Sequence, residues 1–138
     1  MQLAHLPPFN PLKTLFFYDV ASQLNSKTSV PFVYYDERCE DTTYGGAQTS
    51  VIRCGNVVVL TACLKVLKTL TESQNSLLNI TGSDNRPQTT TIAHIYNTTK
   101  NTMHLMMAAP SGYINFSSPA SLAVGDVLIG QIVWVAKN

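Results

Sequence analysis

Gly55-Asn56 stands between two runs of β-forming residues, Ile52-Arg53-Cys54 and Val57-Val58-Val59-Leu60. A glycine as the first of two central residues adopts φ > 0 without steric cost, which suits a tight hairpin. One strand therefore ends near Arg53 and another begins at Val57. The second strand runs to about Val66 and places Val58, Leu60, Ala62, Leu64 and Val66 on one face. That face is wholly apolar and belongs to a core, because strand side chains alternate with period two. The opposite face, Val57, Val59, Thr61, Cys63 and Lys65, is half apolar and is expected to meet a second surface near its start.

The same alternation and turn chemistry predict further strands over residues 31–35, 49–53, 77–80, 88–97, 102–108, 113–116 and 127–136, with 67–71 extending the long strand after a kink. Turns fall at Tyr44-Gly45-Gly46, Ser73-Gln74-Asn75, residues 81–87, 98–101, Pro110-Ser111-Gly112, Ser117-Ser118-Pro119 and Val124-Gly125-Asp126. Seven or eight strands with a turn roughly every ten residues define an all-β chain, an antiparallel Greek-key β-sandwich or small barrel. Residues 1–30 differ. Pro7, Pro8 and Pro11 interrupt regular structure there, and residues 15–24 suit either a short helix or a strand. The expected organisation is a short irregular neck or linker at 1–30 and a β head at 31–138.

The last strand carries Val127, Ile129, Val133 and Val135 with Gln131 on one face, and Leu128, Ile132 and Trp134 with Gly130 on the other. An antiparallel sheet usually wets one face. A strand apolar on both is either covered by another layer or placed in a subunit interface, and the interface is the favoured reading, since 138 residues build about two layers.

Charged residues make up 12% and the net charge is +1, about half the usual charged content. The surface therefore relies on Ser, Thr, Asn and Gln, which suits sugar or protein contacts. No basic cluster offers a footprint for nucleic acid. Cys39, Cys54 and Cys63 show neither CxxC nor zinc spacing, and three reduced, mostly buried thiols are expected. The N-terminus lacks the pattern of a signal peptide and no run is long enough for a membrane-spanning helix. A soluble protein without membrane insertion is expected.

The ordered pieces Arg53-Cys54-Gly55-Asn56-Val57-Val58-Val59-Leu60, then Arg86-Pro87 opening a strand, Gly112-Tyr113-Ile114-Asn115-Phe116, Leu122-Ala123-Val124-Gly125-Asp126 and an apolar final strand with Trp134 resemble the receptor-binding head of tailed-bacteriophage baseplate and tail-fibre proteins, best known from phages of lactococci. The resemblance covers about residues 44–138. It implies a homotrimeric β head on a virion tail tip, reversible adhesion to host cell-surface polysaccharide, and other virion tail proteins as neighbours. Residues 1–43 show no glycine-rich or heptad stem.

His94 and His104 flank the 98–101 turn and are read as near cross-strand neighbours, a geometry suited to metal binding or acid–base work; the plainer reading is two ordinary strand histidines. Asp36, Glu37, Glu40 and Asp41 supply carboxylates for glycoside cleavage, but they crowd one local loop with Arg38 among them, which reads as a solvated turn. No nucleotide, cofactor or metal motif occurs. Sugar recognition wants an aromatic surface and planar polar groups, which nominates Asp84, Asn85, Arg86, His94, His104 and Tyr113, with Trp134 read as core or interface. Met103, Met106 and Met107 read as core filler. The expected function is non-catalytic adhesion; the alternatives are a small polysaccharide depolymerase and a structural capping domain of a virion fibre.

Overall fold

The computed structural model describes residues 27–71, 75–117 and 122–137. The predicted helix or strand at 15–24, His5 and parts of the turns at 73–75 and 117–119 lie outside them. Among the described residues ten strands form one antiparallel sheet: β1 (Lys27–Ser29), β2 (Phe32–Tyr34), β3 (Cys39–Asp41), β4 (Ser50–Cys54), β5 (Val57–Val66), β6 (Ser76–Ile80), β7 (Thr91–Asn97), β8 (Thr102–Ala108), β9 (Tyr113–Ser117) and β10 (Val127–Val135). The spatial order is β1-β4-β5-β10-β7-β8-β9-β6-β2, with β3 paired to the far end of β5. The all-β class is as expected, and the sheet curls into a half-barrel.

The curl follows from one short segment. β1 and β2 are separated only by Val30 and Pro31, yet β1 pairs with β4 and β2 with β6, at opposite ends of the strand order. A strand that switches partners in this way turns a sheet corner. The sheet thus begins at Lys27, inside the stretch the sequence assigned to a neck. Two Greek keys result. β7, β8 and β9 follow one another as hairpins and β10 returns beside β7. In the first half β1–β2, β4 and β5 pair in turn and β6 returns beside β2. The two returning connections meet in an isolated bridge, Leu70 to Leu122, with reciprocal N–H···O bonds of 2.9 Å.

The Gly55-Asn56 hairpin forms as read, with Gly55 at φ +60° and Cys54 opposite Val57. The predicted core face of β5 is buried throughout, as are Leu128, Ile132 and Trp134 of β10. Each valine, leucine and isoleucine among them contributes about 1.5–3 kcal/mol on burial. The other face of β5 departs from expectation. It is covered at Cys63, not at its start, and Val57 stays exposed. Beyond β4 the ladder is continued by β3, a strand hidden in the Asp36–Asp41 charge run, which sets Glu40 opposite Lys65 on this outer face and Cys39 opposite Val66 on the core face. Where β5 passes from β4 to β3, the Thr49 hydroxyl stands in for a ladder partner: it accepts from Cys63 N–H at 3.0 Å and donates to Cys63 O at 2.8 Å.

Two further boundaries move, and one methionine is placed differently. β5 stops at Val66, because Leu67 and Lys68 N–H turn to Arg38 O. β7 begins at Thr91, because Pro87 and Gln88 first run beside the end of β10, bridging Ala136 and donating to Val135 O. Met103 is exposed; Met106 alone of the three methionines is fully buried. No disulfide joins the three cysteines, all of which lie among the described residues; Cys39 and Cys63 are buried, and burial pushes the Cys39 thiol up to about 12.

Candidate functional site

The sequence nominated the loop after β6 as a sugar contact. There Ser83–Asn85 forms a single 3₁₀ turn, held by hydrogen bonds from side chains of β4 and β10. Arg53 Nη1 donates to Asp84 O at 2.9 Å and to Asn85 Oδ1 at 3.0 Å, and its Nε donates to Gly55 O at 2.8 Å. Trp134 Nε1 donates to Asn85 O at 2.8 Å. Arg86 Nε donates to Ile80 O at 2.8 Å. The Arg86 side chain lies against Gly112, whose φ is +92° and where any Cβ would collide with Arg86 Nε and Ile80 O. Both arginines and the indole therefore staple the loop down. Asp84 keeps an exposed side chain; Asn85 and Arg86 are half-buried.

The two histidines are not a pair. His94 lies opposite Leu105, and Ile95 lies opposite His104. This offset of one residue puts them on opposite faces of the sheet. His94 is exposed on the outside, whereas His104 is buried against Phe116, edge to face at 6.3 Å. His104 Nε2 meets Thr102 Oγ1 at 2.9 Å and Nδ1 has no partner. Burial holds its pKa below the ordinary 6.5, Asp126 opposing and Lys100 adding to the effect. Its position leaves no surface for a sugar. Nearby, Asp126 is buried and accepts from Asn97 Nδ2, Ala123 N–H and Lys100 Nζ. Burial pushes its carboxyl up, and the bonds from Ala123, Asn97 and Lys100 together with the charge of Lys100 outweigh that, leaving it below the usual 3.8.

Tyr113 is placed differently. It stands on the outer face of β9 and meets Tyr35 edge to face, ring centroids 5.4 Å apart. The Arg38 guanidinium lies over the other aromatic group of this corner, 4.7 Å from the Tyr35 centroid, and Arg38 Nη1 donates to Ser76 O at 3.2 Å. Asn79 is the cross-strand partner of Tyr113, and the Ser76 hydroxyl donates to Asn115 Oδ1 at 2.8 Å. The turn between β2 and β3 borders the cluster. Asp36 and Glu37 both hold left-handed φ, +52° and +53°, a conformation costing about 1–2 kcal/mol per residue outside glycine. Such strain gathers at ligand sites. Lys68 Nζ steadies it by donating to Asp36 O at 2.7 Å. The cluster offers an aromatic edge, two amides and a hydroxyl, the groups that meet the C–H and O–H faces of a sugar ring. Tyr35 was read as the end of a strand; only the meeting of the β2–β3 turn with β9 reveals it.

A second surface lies on the outer side of β4, β5, β10, β7 and β8. Ile52, Val57, Val133 and Val135 are exposed on its first half, and Ile92, Met103 and Leu105 on its second. Near one margin a groove of about 280 Å³ runs over Val57, Val133 and Trp134, bordered by Gln88, Thr89 and Thr91.

Among the described residues no group of three or more His, Cys, Asp or Glu side chains is placed to hold a metal ion, and no helix is long and apolar enough to cross a membrane. No family model matches the chain, and comparison with curated proteins finds no match.

Proposed function

We propose that the chain is a non-catalytic adhesion module of a phage tail tip that binds a host cell-surface saccharide as a homotrimer, alongside other virion tail proteins. The observation that carries this reading is the Tyr35–Tyr113 pair set among Asn79, Asn115 and Ser76 on the outer face of β6 and β9. The contacts such a cluster makes are shallow and uncharged in the main, so single-site affinity is weak and many copies on one particle supply avidity. The ordered likeness to phage head domains points the same way, as does a surface poor in charge.

The test is binding of the full chain to host cells or to their isolated cell-wall polysaccharide. Binding is expected, with the polysaccharide's chain length unchanged after incubation. Loss of binding is expected in both Tyr113→Ala and Tyr35→Ala. Binding that survives both substitutions overturns the assignment of the site, and shortening of the polysaccharide overturns the non-catalytic reading.

A further inference from the structure

We propose that residues 15–24 of this chain dock back onto the outer face of β4, β5 and β10 and cover its apolar rows. The segment, Leu15-Phe16-Phe17-Tyr18-Asp19-Val20-Ala21-Ser22-Gln23-Leu24, precedes the described residues; the surface and the point where the chain enters the sheet assign its place. The inference goes beyond the functional reading and uses none of the Tyr35–Tyr113 cluster.

Two outward rows cross this part of the sheet. Ser29, Ile52, Val59 and Val133 form one, and Lys27, Cys54, Val57 and Val135 the other, each residue being the cross-strand partner of the next. Partners of this kind share a face. The outer face of an antiparallel sheet is ordinarily polar, yet Ile52, Val57, Val133 and Val135 are 37–51% exposed. As neighbours they make one contiguous apolar patch, and such patches mark contact surfaces.

The rows end in a groove, and the pairing of β10 explains it. β10 and β7 touch at Gly130, where a Cβ would stand 2.9 Å from His94 O. Their ladder stops there, at the Gly130–Ile95 pair, and β10 is paired again on that side at the Pro87–Ala136 bridge. Between these two points five residues of β10, 131–135, face seven, 88–94. Surplus residues in one strand bulge out of the ladder. The bulge opens the groove of about 280 Å³ over Val57, Val133 and Val135, with Gln88, Thr89 and Thr91 at its border.

Position, chemistry and tethering select the occupant. The chain enters the sheet at Lys27, opposite Cys54, on the very row that carries Val57 and Val135. From β1 to β10 is three strand spacings, roughly 14 Å. About five extended residues or about ten helical ones span that distance, so a residue between Phe17 and Ser22 reaches the groove in either conformation. Asp19 is the one charged residue of the segment, and between β4 and β10 the two rows carry no charge. A nucleic acid or an anionic membrane would need lysines and arginines there. A short tether holds the segment at a millimolar effective concentration, above that of a second copy or a free partner. Docking also gives β10, apolar on both sides, a layer on each.

The test is photo-cross-linking of the full chain carrying p-benzoylphenylalanine in place of Phe17 or, separately, of Val20. Irradiation at about 10 µM, well below the effective concentration of a tethered segment, is expected to yield a product of the 15.1 kDa subunit mass. Peptide mapping is expected to place the cross-link on Val57 or on residues 131–135. A product of twice that mass overturns the inference in favour of a second copy. Cross-links elsewhere in the chain, or none, overturn it and leave the face bare for another protein or a ligand. Chymotryptic cleavage after Phe16 and Phe17 gives an independent readout on the unlabelled chain. Val133→Asp and Val135→Asp are each expected to raise its rate about tenfold, because cleavage follows the undocked population, with the circular dichroism of the parent. Val33→Asp, equally exposed but on β2, is expected to leave the rate unchanged. Equal rates in the parent and both β10 variants overturn the inference; should one of these variants fail to fold, the other decides.

Discussion

Tyr35 and Tyr113 meet edge to face with ring centroids 5.4 Å apart, and this contact joins the acidic turn after β2 to the outer face of β9. Each ring holds the other: Tyr35 sits under the Arg38 guanidinium, and Tyr113 faces Asn79 across the strands. Tyr113→Ala removes the ring from the sheet without touching the core and is expected to weaken saccharide binding about tenfold or more, equivalent to ~1.4 kcal/mol, while thermal stability falls by no more than the ~0.5–1.5 kcal/mol of an aromatic pair. Calorimetric titration and a melting curve on the same sample check both.

Trp134 is tied to the 3₁₀ turn by its indole N–H on Asn85 O. Trp134→Phe keeps most of the buried ring but leaves that carbonyl without its donor. The expected loss is about 2 kcal/mol of unfolding free energy, the cost of a part-buried carbonyl deprived of its bond together with some lost packing. Equilibrium denaturation measures it.

Gly112→Ala is expected to cost about 3 kcal/mol or more, since the site combines left-handed backbone with contact against Arg86 and Ile80 O. Differential scanning calorimetry is the measurement. A variant as stable as the parent would show that the β8–β9 turn relaxes freely.

His104 is held neutral by burial, below its ordinary 6.5. The unfolded chain therefore binds more protons than the folded one as pH falls below 6.5, and stability declines from there down to the folded pKa. Above 6.5 this residue contributes no slope. Asp126 acts lower, its stabilisation being present above 3.8 and lost as pH falls through its depressed value. Unfolding free energies between pH 8 and 5 are expected to fall with acid in the parent. They are expected to be flatter in His104→Phe, with the difference confined to the region below 6.5.

Much of the β framework is legible in the residues. The Gly55-Asn56 hairpin, the buried face of β5, and the burial of Leu128, Ile132 and Trp134 follow from alternation and turn chemistry, which act between near neighbours along the chain. β3 is masked because three of its neighbours are charged and only Cys39 among its own residues is buried. Arg86 reads as an available donor because a sequence shows its chemistry but not the carbonyl of Ile80 waiting for it.

What tertiary structure alone decides is which distant rows meet. A shift of one residue in the β7–β8 register separates His94 from His104 by the thickness of the sheet. The partner switch at Val30-Pro31 brings β2 to β6 and so carries Tyr35 to Tyr113. The apolar outer rows become one face only because β10 returns between β5 and β7. The physical reason is the range of the forces involved. Period-two alternation and left-handed glycines are local and are written in consecutive residues. Register and closure are set by the best joint burial of the whole sheet, a quantity no single segment contains.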